Sequence, residues 1–198
     1  MVTTGFSRIH VAKYTNNGGT AAYSDVRELS RAKKMETEVN TTDENNFYAN
    51  NVLAESEPAK FKDGKVKLTV AGLSAEEEAF ILGIEVTKTQ VNGTEVEEVE
   101  YGSNMNPPYL GIGAVKRMQK NGVTSYRAII LPKTRFAIPP EAGETQEENI
   151  NWQVQELEAV ILRDDTAKAN WKVIPKTNFA TEEEAVAYIV AKLGGKTA

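Results

Sequence analysis

One stretch of the chain, Asn106 to Phe136, constrains the fold more than any other. Two arms of alternating apolar residues flank Asn121-Gly122, the commonest chemistry for a type I′ turn because both central residues need a positive φ. Pro107-Pro108 marks the start, and Pro132 predicts an edge or a bulge, since proline donates no ladder hydrogen bond. The pattern predicts a long antiparallel hairpin with one buried face. The alternating positions are Leu110, Ile112 and Ala114 in the first arm, and Tyr126, Ala128 and Ile130 in the second.

Composition narrows the class of protein. The chain has 198 residues, which fits one domain with a sizeable core. It has no cysteine and one histidine, so disulfides, thiol chemistry and the usual zinc sites are excluded. A net charge of −5 disfavours a nucleic-acid-gripping protein, because phosphate binding needs clustered Lys and Arg. Without a signal-peptide pattern or a bilayer-spanning apolar run, we expect folding in a cytoplasm and no membrane anchor.

Several further segments predict strands. Phe6 to Tyr14 alternates in part, and residues 65 to 70 form the clearest half-buried strand, after a turn at Asp63-Gly64. Val86 to Tyr101 predicts a second hairpin around Asn92-Gly93. Residues 169 to 174 predict a last strand containing Trp171.

Two segments are less simple. Val26 to Val39 is compatible with a strand or a helix on its residues alone. In residues 150 to 161 the apolar positions change phase after Val154, which predicts a β-bulge near Gln155-Glu156.

Two helices carry start and stop signals. Ser74 with Glu77 forms a capping box, Glu76 and Glu78 suit the positive helix end better than a metal site, and Gly83 can end the helix. A second helix from Thr181 to Leu193 has Glu184 at the box position and Gly194-Gly195 as its stop. Its apolar stripe can dock on its own sheet or on an adjacent subunit. The stripe consists of Ala185, Val186, Ile189, Val190 and Leu193.

An ordered set of motifs carries a resemblance over nearly the whole chain. The set runs Phe47-Tyr-Ala-Asn-Asn51, Val70-Ala-Gly-Leu-Ser74, Leu82-Gly83, Pro108-Tyr-Leu-Gly-Ile-Gly113, Asn121-Gly122, Tyr126-Arg-Ala-Ile-Ile-Leu-Pro-Lys-Thr-Arg-Phe136, a Pro-Pro-Glu turn, Ile150-Asn-Trp-Gln-Val-Gln155 and Asn170-Trp-Lys-Val173. This set resembles the major tail tube protein of long-tailed (siphovirus-type) phages, especially those of Gram-positive bacteria.

The resemblance implies a mainly β (α+β) fold, an antiparallel β-sandwich or barrel subunit with a flanking helix and a C-terminal helix. Residues 1–178 would form the tail tube β domain, with a flexible loop at about 40–62 and a helix at about 74–83. Residues 179–198 would form a C-terminal helical extension. It also makes Val26 to Val39 a strand.

The resemblance further implies stacked hexameric rings that form the tail tube in the virion, after assembly in the host cytoplasm. The partners would be the tape measure protein, the tail terminator and baseplate proteins, with DNA passing through without specific binding. Asn40 to Lys62 is either a mobile surface loop or a loop ordered by a neighbouring subunit. Candidate inter-ring residues are Phe47, Tyr48, Val52 and Leu53, and candidate lumen or sheet-edge carboxylates are Glu95, Glu97, Glu98 and Glu100.

No combination of residues predicts an enzyme or a cofactor. His10 has no second histidine to share a metal, and Gly111-Ile-Gly113 lacks the third glycine of a dinucleotide fingerprint. We expect these glycines to let strands or side chains approach closely. Two alternatives stay open: a tube subunit of a phage-derived bacteriocin or injection system, and a soluble β-sandwich binding module. The module would need Tyr101, Tyr109 and Tyr126 to form one aromatic patch.

Overall fold

A computed structural model describes residues 1–141 and 154–195, and within them the protein has a mainly β, α+β fold with antiparallel sheets. The strands are β1 (Val2–Asn17), β2 (Thr20–Glu28), β3 (Ala32–Thr41), β4 (Asn45–Ala49), β5 (Val52–Glu57), β6 (Phe61–Val70), β7 (Val86–Val91), β8 (Thr94–Val99), β9 (Leu110–Lys120), β10 (Val123–Phe136) and β11 (Gln155–Leu162). The helices are α1 (Ala75–Leu82) and α2 (Glu182–Lys192).

The main sheet is curled towards a barrel. It has seven strands in the order β2-β1-β9-β10-β11-β6-β3. Its two edge strands, β2 and β3, are joined only by Leu29 to Arg31, a link that spans at most about 14 Å. A flat seven-stranded sheet would hold its edges about 29 Å apart, so this sheet must curve until its edges meet at the link. Hydrogen bonds from Leu29 N to Ile9 O (2.8 Å) and from Ala71 N to Arg31 O (2.9 Å) fix that corner.

The inner face of the curled sheet holds the larger core. In β6 the predicted alternation is confirmed, because Val66, Leu68 and Val70 are buried while Lys65 and Lys67 are exposed. Helix α1 contributes to the same core. The other fully buried large side chains of this core are Ile9, Val11, Ile81, Leu82, Leu110, Ile112, Leu131, Leu157 and Ile161.

Helix α2 lies on the outer face of the same sheet, so its apolar stripe docks on its own chain. Ala185, Ile189 and Leu193 are fully buried there with residues of β1, β9 and β10. The glycines of β9 make room for the helix: a Cβ added at Gly113 would lie 2.2 Å from Ile189 Cγ2, and one at Gly111 would lie 2.8 Å from Leu193 Cδ2. The expected role of these glycines in close approach is confirmed.

The two predicted Asn-Gly turns and the helix caps are confirmed. Asn121 and Gly122 have φ values of 51° and 80° between β9 and β10, and Asn92-Gly93 repeats this geometry with 52° and 81°. The register of β10 with β9 shifts between Leu131 and Thr134, which is the irregularity predicted from Pro132. Both capping boxes are present, and Gly83 ends α1 in the left-handed conformation.

Other predictions are wrong. Asp63 and Gly64 lie inside β6, where Gly64 pairs with both Val39 and Ile161, because the alternation of the strand outweighs the local turn signal. Residues 169 to 174 form no strand, since only Val173 makes an isolated bridge, to Ile130.

The stretch read as ambiguous between strand and helix, Val26 to Val39, holds the end of β2 and most of β3. The pairing of β11 with β6 is regular at Gln155 and Glu156, so no bulge occurs there. The preceding strand, predicted from Ile150, falls mainly in residues 142–153, outside the described residues.

Candidate functional site

The segment predicted as the loop 40–62 contains a two-stranded arm. Strands β4 and β5 form a sheet of their own, separate from the main sheet. The prediction of a loop was wrong, because the segment forms two paired strands. Neither strand has a buried face, so their sequence lacks the apolar alternation that indicates a strand. At the arm's base Thr42 N donates to Lys60 O (2.8 Å), and Lys60 N donates to Thr42 Oγ1 (3.0 Å). These two bonds fix where the arm leaves the body.

The four candidate inter-ring residues are brought together near the tip of this arm. Tyr48 pairs with Leu53, while Phe47 and Val52 lie on the opposite face because neighbouring strand residues alternate. The side chains are largely in solvent: Phe47 and Tyr48 are each 63% exposed, Val52 is 65% exposed and Leu53 is 49% exposed. An arm with apolar residues on both faces offers two docking surfaces, which is typical of an interaction segment.

The four candidate carboxylates lie on a second projecting hairpin, β7–β8, which follows α1. Lys88 Nζ contacts Glu95 at 2.6 Å and Glu97 at 3.5 Å. Thr89 donates to Glu98 (2.8 Å) and Thr87 donates to Glu100 (3.0 Å).

The contacts with Lys88, Thr87 and Thr89 do not neutralise the negative charge of this hairpin. The hydrogen bond from Lys88 to Glu95, with the nearby charge of Glu97, raises the pKa of Lys88. These contacts lie at the surface, where an ion pair stabilises little. Residues 86–100 contain four glutamates and one lysine, so the hairpin stays strongly acidic.

The junction between α1 and this hairpin is held by Tyr101. Its hydroxyl donates to Glu78, and that hydrogen bond raises the pKa of Tyr101 to about 12. Tyr109 is covered by the Lys133 ammonium, 4.5 Å from its ring centre, and Tyr126 bridges to Phe179 beside α2. The three tyrosines are therefore engaged at different places, and the single aromatic face required by the binding-module alternative is not formed.

A second charged hairpin, this one basic, was missed by sequence reasoning. The tip of the β9–β10 hairpin, residues 116–127, contains four basic residues and no acidic one. The basic residues are present in the sequence, but the sequence analysis used only the turn and the apolar alternation of this segment. Its members are Lys116, Arg117, Lys120 and Arg127.

Enzyme-like features are not found in residues 1–141 and 154–195. No group of three His, Asp or Glu side chains there could hold a metal. His10 is buried, and its Nδ1 lies 3.2 Å from Arg8 O. Asp164, also buried, accepts from the backbone N–H groups of Thr166 (3.3 Å) and Asn170 (2.8 Å). Both buried groups thus have structural roles.

A cavity of about 710 Å³ lies beside Glu141 and Val154. Both residues adjoin the stretch 142–153, which lies outside the described residues. The helices of the described residues include none with the length and apolarity that a membrane crossing requires.

Comparison with known proteins adds no family assignment. No protein-family model matches the chain, and no curated protein matches it. The functional argument therefore depends on the chain's own residues and geometry.

Proposed function

We propose that this protein is a structural subunit that assembles with copies of itself into stacked hexameric rings, the tail tube of a long-tailed phage. The tube would deliver DNA to the host without binding it specifically. Its partners would be the tape measure protein, the tail terminator and baseplate proteins, and its final location the virion.

The β4–β5 arm is the observation that carries this proposal. Four large apolar side chains stand in solvent at the end of a hairpin that pairs outside the main sheet. Burying a side chain of this size stabilises a contact by about 1.5–3 kcal/mol, so the arm gains most by packing against another molecule. A chain that must form rings and a stack of rings needs such contacts on surfaces the monomer leaves uncovered.

The curled sheet supports the same proposal. The outer edges of β2 and β3 end the sheet order, and sheet edges are surfaces on which copies of a chain can associate. The acidic net charge also suits a tube, because repeated Lys or Arg contacts to phosphate would hold the DNA back.

The arm can be tested against a matched surface change. In the test variant Phe47, Tyr48, Val52 and Leu53 are all replaced by Ser. The control is Ile138→Ser, because Ile138 is 60% exposed and lies outside the arm. Purified proteins are compared by negative-stain microscopy, sedimentation and thermal unfolding.

We expect rings or hollow tubes from the wild type and the control, and dispersed subunits of unchanged thermal stability from the arm variant. Tubes from the arm variant would remove the arm from the assembly. If the wild type gave no tubes even when co-expressed with tape measure and baseplate proteins, the tube proposal would be abandoned.

A further inference from the structure

Two hairpins at opposite ends of the curled sheet carry opposite charge. At one end α1 leads into the acidic β7–β8 hairpin, with Glu95, Glu97, Glu98 and Glu100 against Lys88. At the other end lies the basic tip of the β9–β10 hairpin. We call this the basic end, formed by Lys116, Arg117, Lys120, Arg127 and the neighbouring Lys172.

The course of the strands separates these features. Gly83, the C-cap of α1, lies against Pro108, just before β9 begins, since a Cβ on Gly83 would be 2.9 Å from Pro108 Cδ. Lys116 is six residues further along β9 than Leu110, which corresponds to about 20 Å of extended strand. The β7–β8 hairpin therefore begins near the end of β9 that is opposite the basic end.

Three of the five cations of the basic end, Lys116, Arg127 and Lys172, are close neighbours. Lys116 and Arg127 are cross-strand partners in the β9–β10 pairing. Lys172 lies over the ring of Trp171, with 5.5 Å between Nζ and the ring centre, and Trp171 stacks on Phe61 at the far end of β6.

None of the five cations forms an ion pair with a carboxylate of residues 1–141 or 154–195. Burial, and then the charge of Lys116, lower the pKa of Lys172. Like charges that are partly removed from water repel one another more strongly than they would in bulk solvent. A carboxylate brought to this end would relieve that repulsion.

We infer that the basic end receives the acidic β7–β8 hairpin of a second copy of this chain, in a head-to-tail contact. This inference rests on the proposed function and names the charged groups of its axial contact. A head-to-tail contact leaves one acidic and one basic end free on each pair, so repetition generates an open stack rather than a closed dimer. Each addition makes the same contact.

A second copy fits the basic end better than nucleic acid does. The protein has a net charge of −5, so a duplex near the basic end would also meet the repulsion of the whole acidic surface. A hairpin of the same chain brings three glutamates that are already fixed in a strand pair, Glu95, Glu97 and Glu98, with Glu100 directly after them. Preorganised groups lose less conformational freedom on binding.

The inference is tested by reversing the charge at each end separately. Variant A carries Lys116→Glu, Arg117→Glu and Lys120→Glu, and leaves Arg127 to its hydrogen bond with Asn178 (3.0 Å). Variant B carries Glu95→Lys, Glu97→Lys and Glu98→Lys. The control has the same charge change as A on exposed lysines away from the basic end: Lys33→Glu, Lys67→Glu and Lys192→Glu. Sedimentation velocity is measured at low and high salt.

We expect the wild type and the control to self-associate at low salt and to dissociate as salt screens the contact. A and B alone should associate about tenfold to a hundredfold more weakly. An equimolar mixture of A and B should associate again, because A then presents two acidic ends and B presents two basic ends. Recovery in the mixture cannot come from misfolding of either variant.

Three results would overturn the inference. One is equal association of A, B and wild type; another is no association of the wild type or of the mixture at low salt. The third is binding of a labelled DNA duplex by wild type but not by A, with self-association unchanged, which would assign the basic end to nucleic acid. Tubes that form with the same salt dependence in every variant would refute this contact and leave the tube function standing.

Discussion

Two glycines of β9, which have no Cβ, determine where the C-terminal helix α2 packs. Gly111 and Gly113 occupy the outer face of β9, and the side chains of Leu193 and Ile189 fill the space that a Cβ would need. The buried row on α2 can then approach the strand closely, which packs Ala185 and Ile189 against the sheet without a gap. The helix position therefore depends on the strand's glycines as much as on its own apolar stripe.

Replacing Gly113 by Ala should destabilise the protein by about 1–3 kcal/mol through overpacking against Ile189. Urea unfolding measures the change. Gly102→Ala is the matched control, because a Cβ there meets no atom within 4 Å and its φ is not in the positive range; it should leave the free energy of unfolding nearly unchanged. Equal effects of the two substitutions would contradict the packing account.

The chain's single histidine gives a pH dependence with a defined sign. Burial lowers the pKa of His10 from its usual 6.5. As pH falls through 6.5 the unfolded chain binds a proton that the folded chain does not, so the contribution is full above 6.5 and is lost as pH falls towards the folded-state pKa. NMR titration should place the His10 transition below 6.5, and His10→Phe should lack this part of the stability loss. A transition above 6.5 would contradict it.

At the scale of single elements, the helix ends were predictable because their chemistry is local. In α2, Glu184 N donates to Thr181 Oγ1 (3.2 Å) and Thr181 N donates to Glu184 Oε2 (3.3 Å). The equivalent pair in α1 is Ser74 with Glu77. A capping box needs only residues three apart, so the sequence contains all of it.

Thr181→Ala should therefore cost about 1 kcal/mol of stability, while Thr181→Ser keeps the hydroxyl and should cost much less. Chemical denaturation of both variants measures the difference. Identical losses would mean that the Thr181 methyl, rather than its hydroxyl, stabilises the start of the helix.

Elements without local chemistry were predicted less well. The β4–β5 strands have no buried face, so the alternation that revealed β6 was not available for them. Trp171 and Val173 suggested a strand, yet Trp171 is held by stacking on Phe61, a partner more than a hundred residues away in sequence. The candidate arm residues were recognisable as apolar side chains in a polar segment, whereas their placement on two faces required the pairing register.

At the scale of the whole molecule, the curl of the sheet was beyond local reasoning. The resemblance implied a sandwich or barrel, but the closure itself comes from the short link between the edge strands and from the pairing of β1 with β9. The charge separation has the same origin. Only residues 101–115 separate the acidic run 95–100 from the basic run 116–127 in sequence, and the strand direction places the two runs at opposite ends of the sheet.

This architecture predicts a gradient of hydrogen exchange in the unassembled protein. Amides of β9 and β10 should exchange slowest, because both strands are paired within the main sheet and packed on both faces. Amides of β4–β5 and β7–β8 should exchange fastest, since each hairpin has only one paired edge per strand. Mass spectrometry of exchanged peptides tests this order, and assembly should slow β4–β5. Protection of β4–β5 equal to that of β9 in the free subunit would contradict it.

The pairing of β1 with β9 has a consequence for biosynthesis. Strand β1 is made well before β9, which pairs along most of its length and is complete only at Lys120. At about 5–20 residues per second, the nascent chain waits roughly 5–20 s for that partner. During the delay β1 is protected on one side by its hairpin with β2 and is open on the other. On a polysome making many copies, a neighbouring nascent chain could supply β9 in exchange, so translation rate becomes a determinant of how much subunit reaches its own fold.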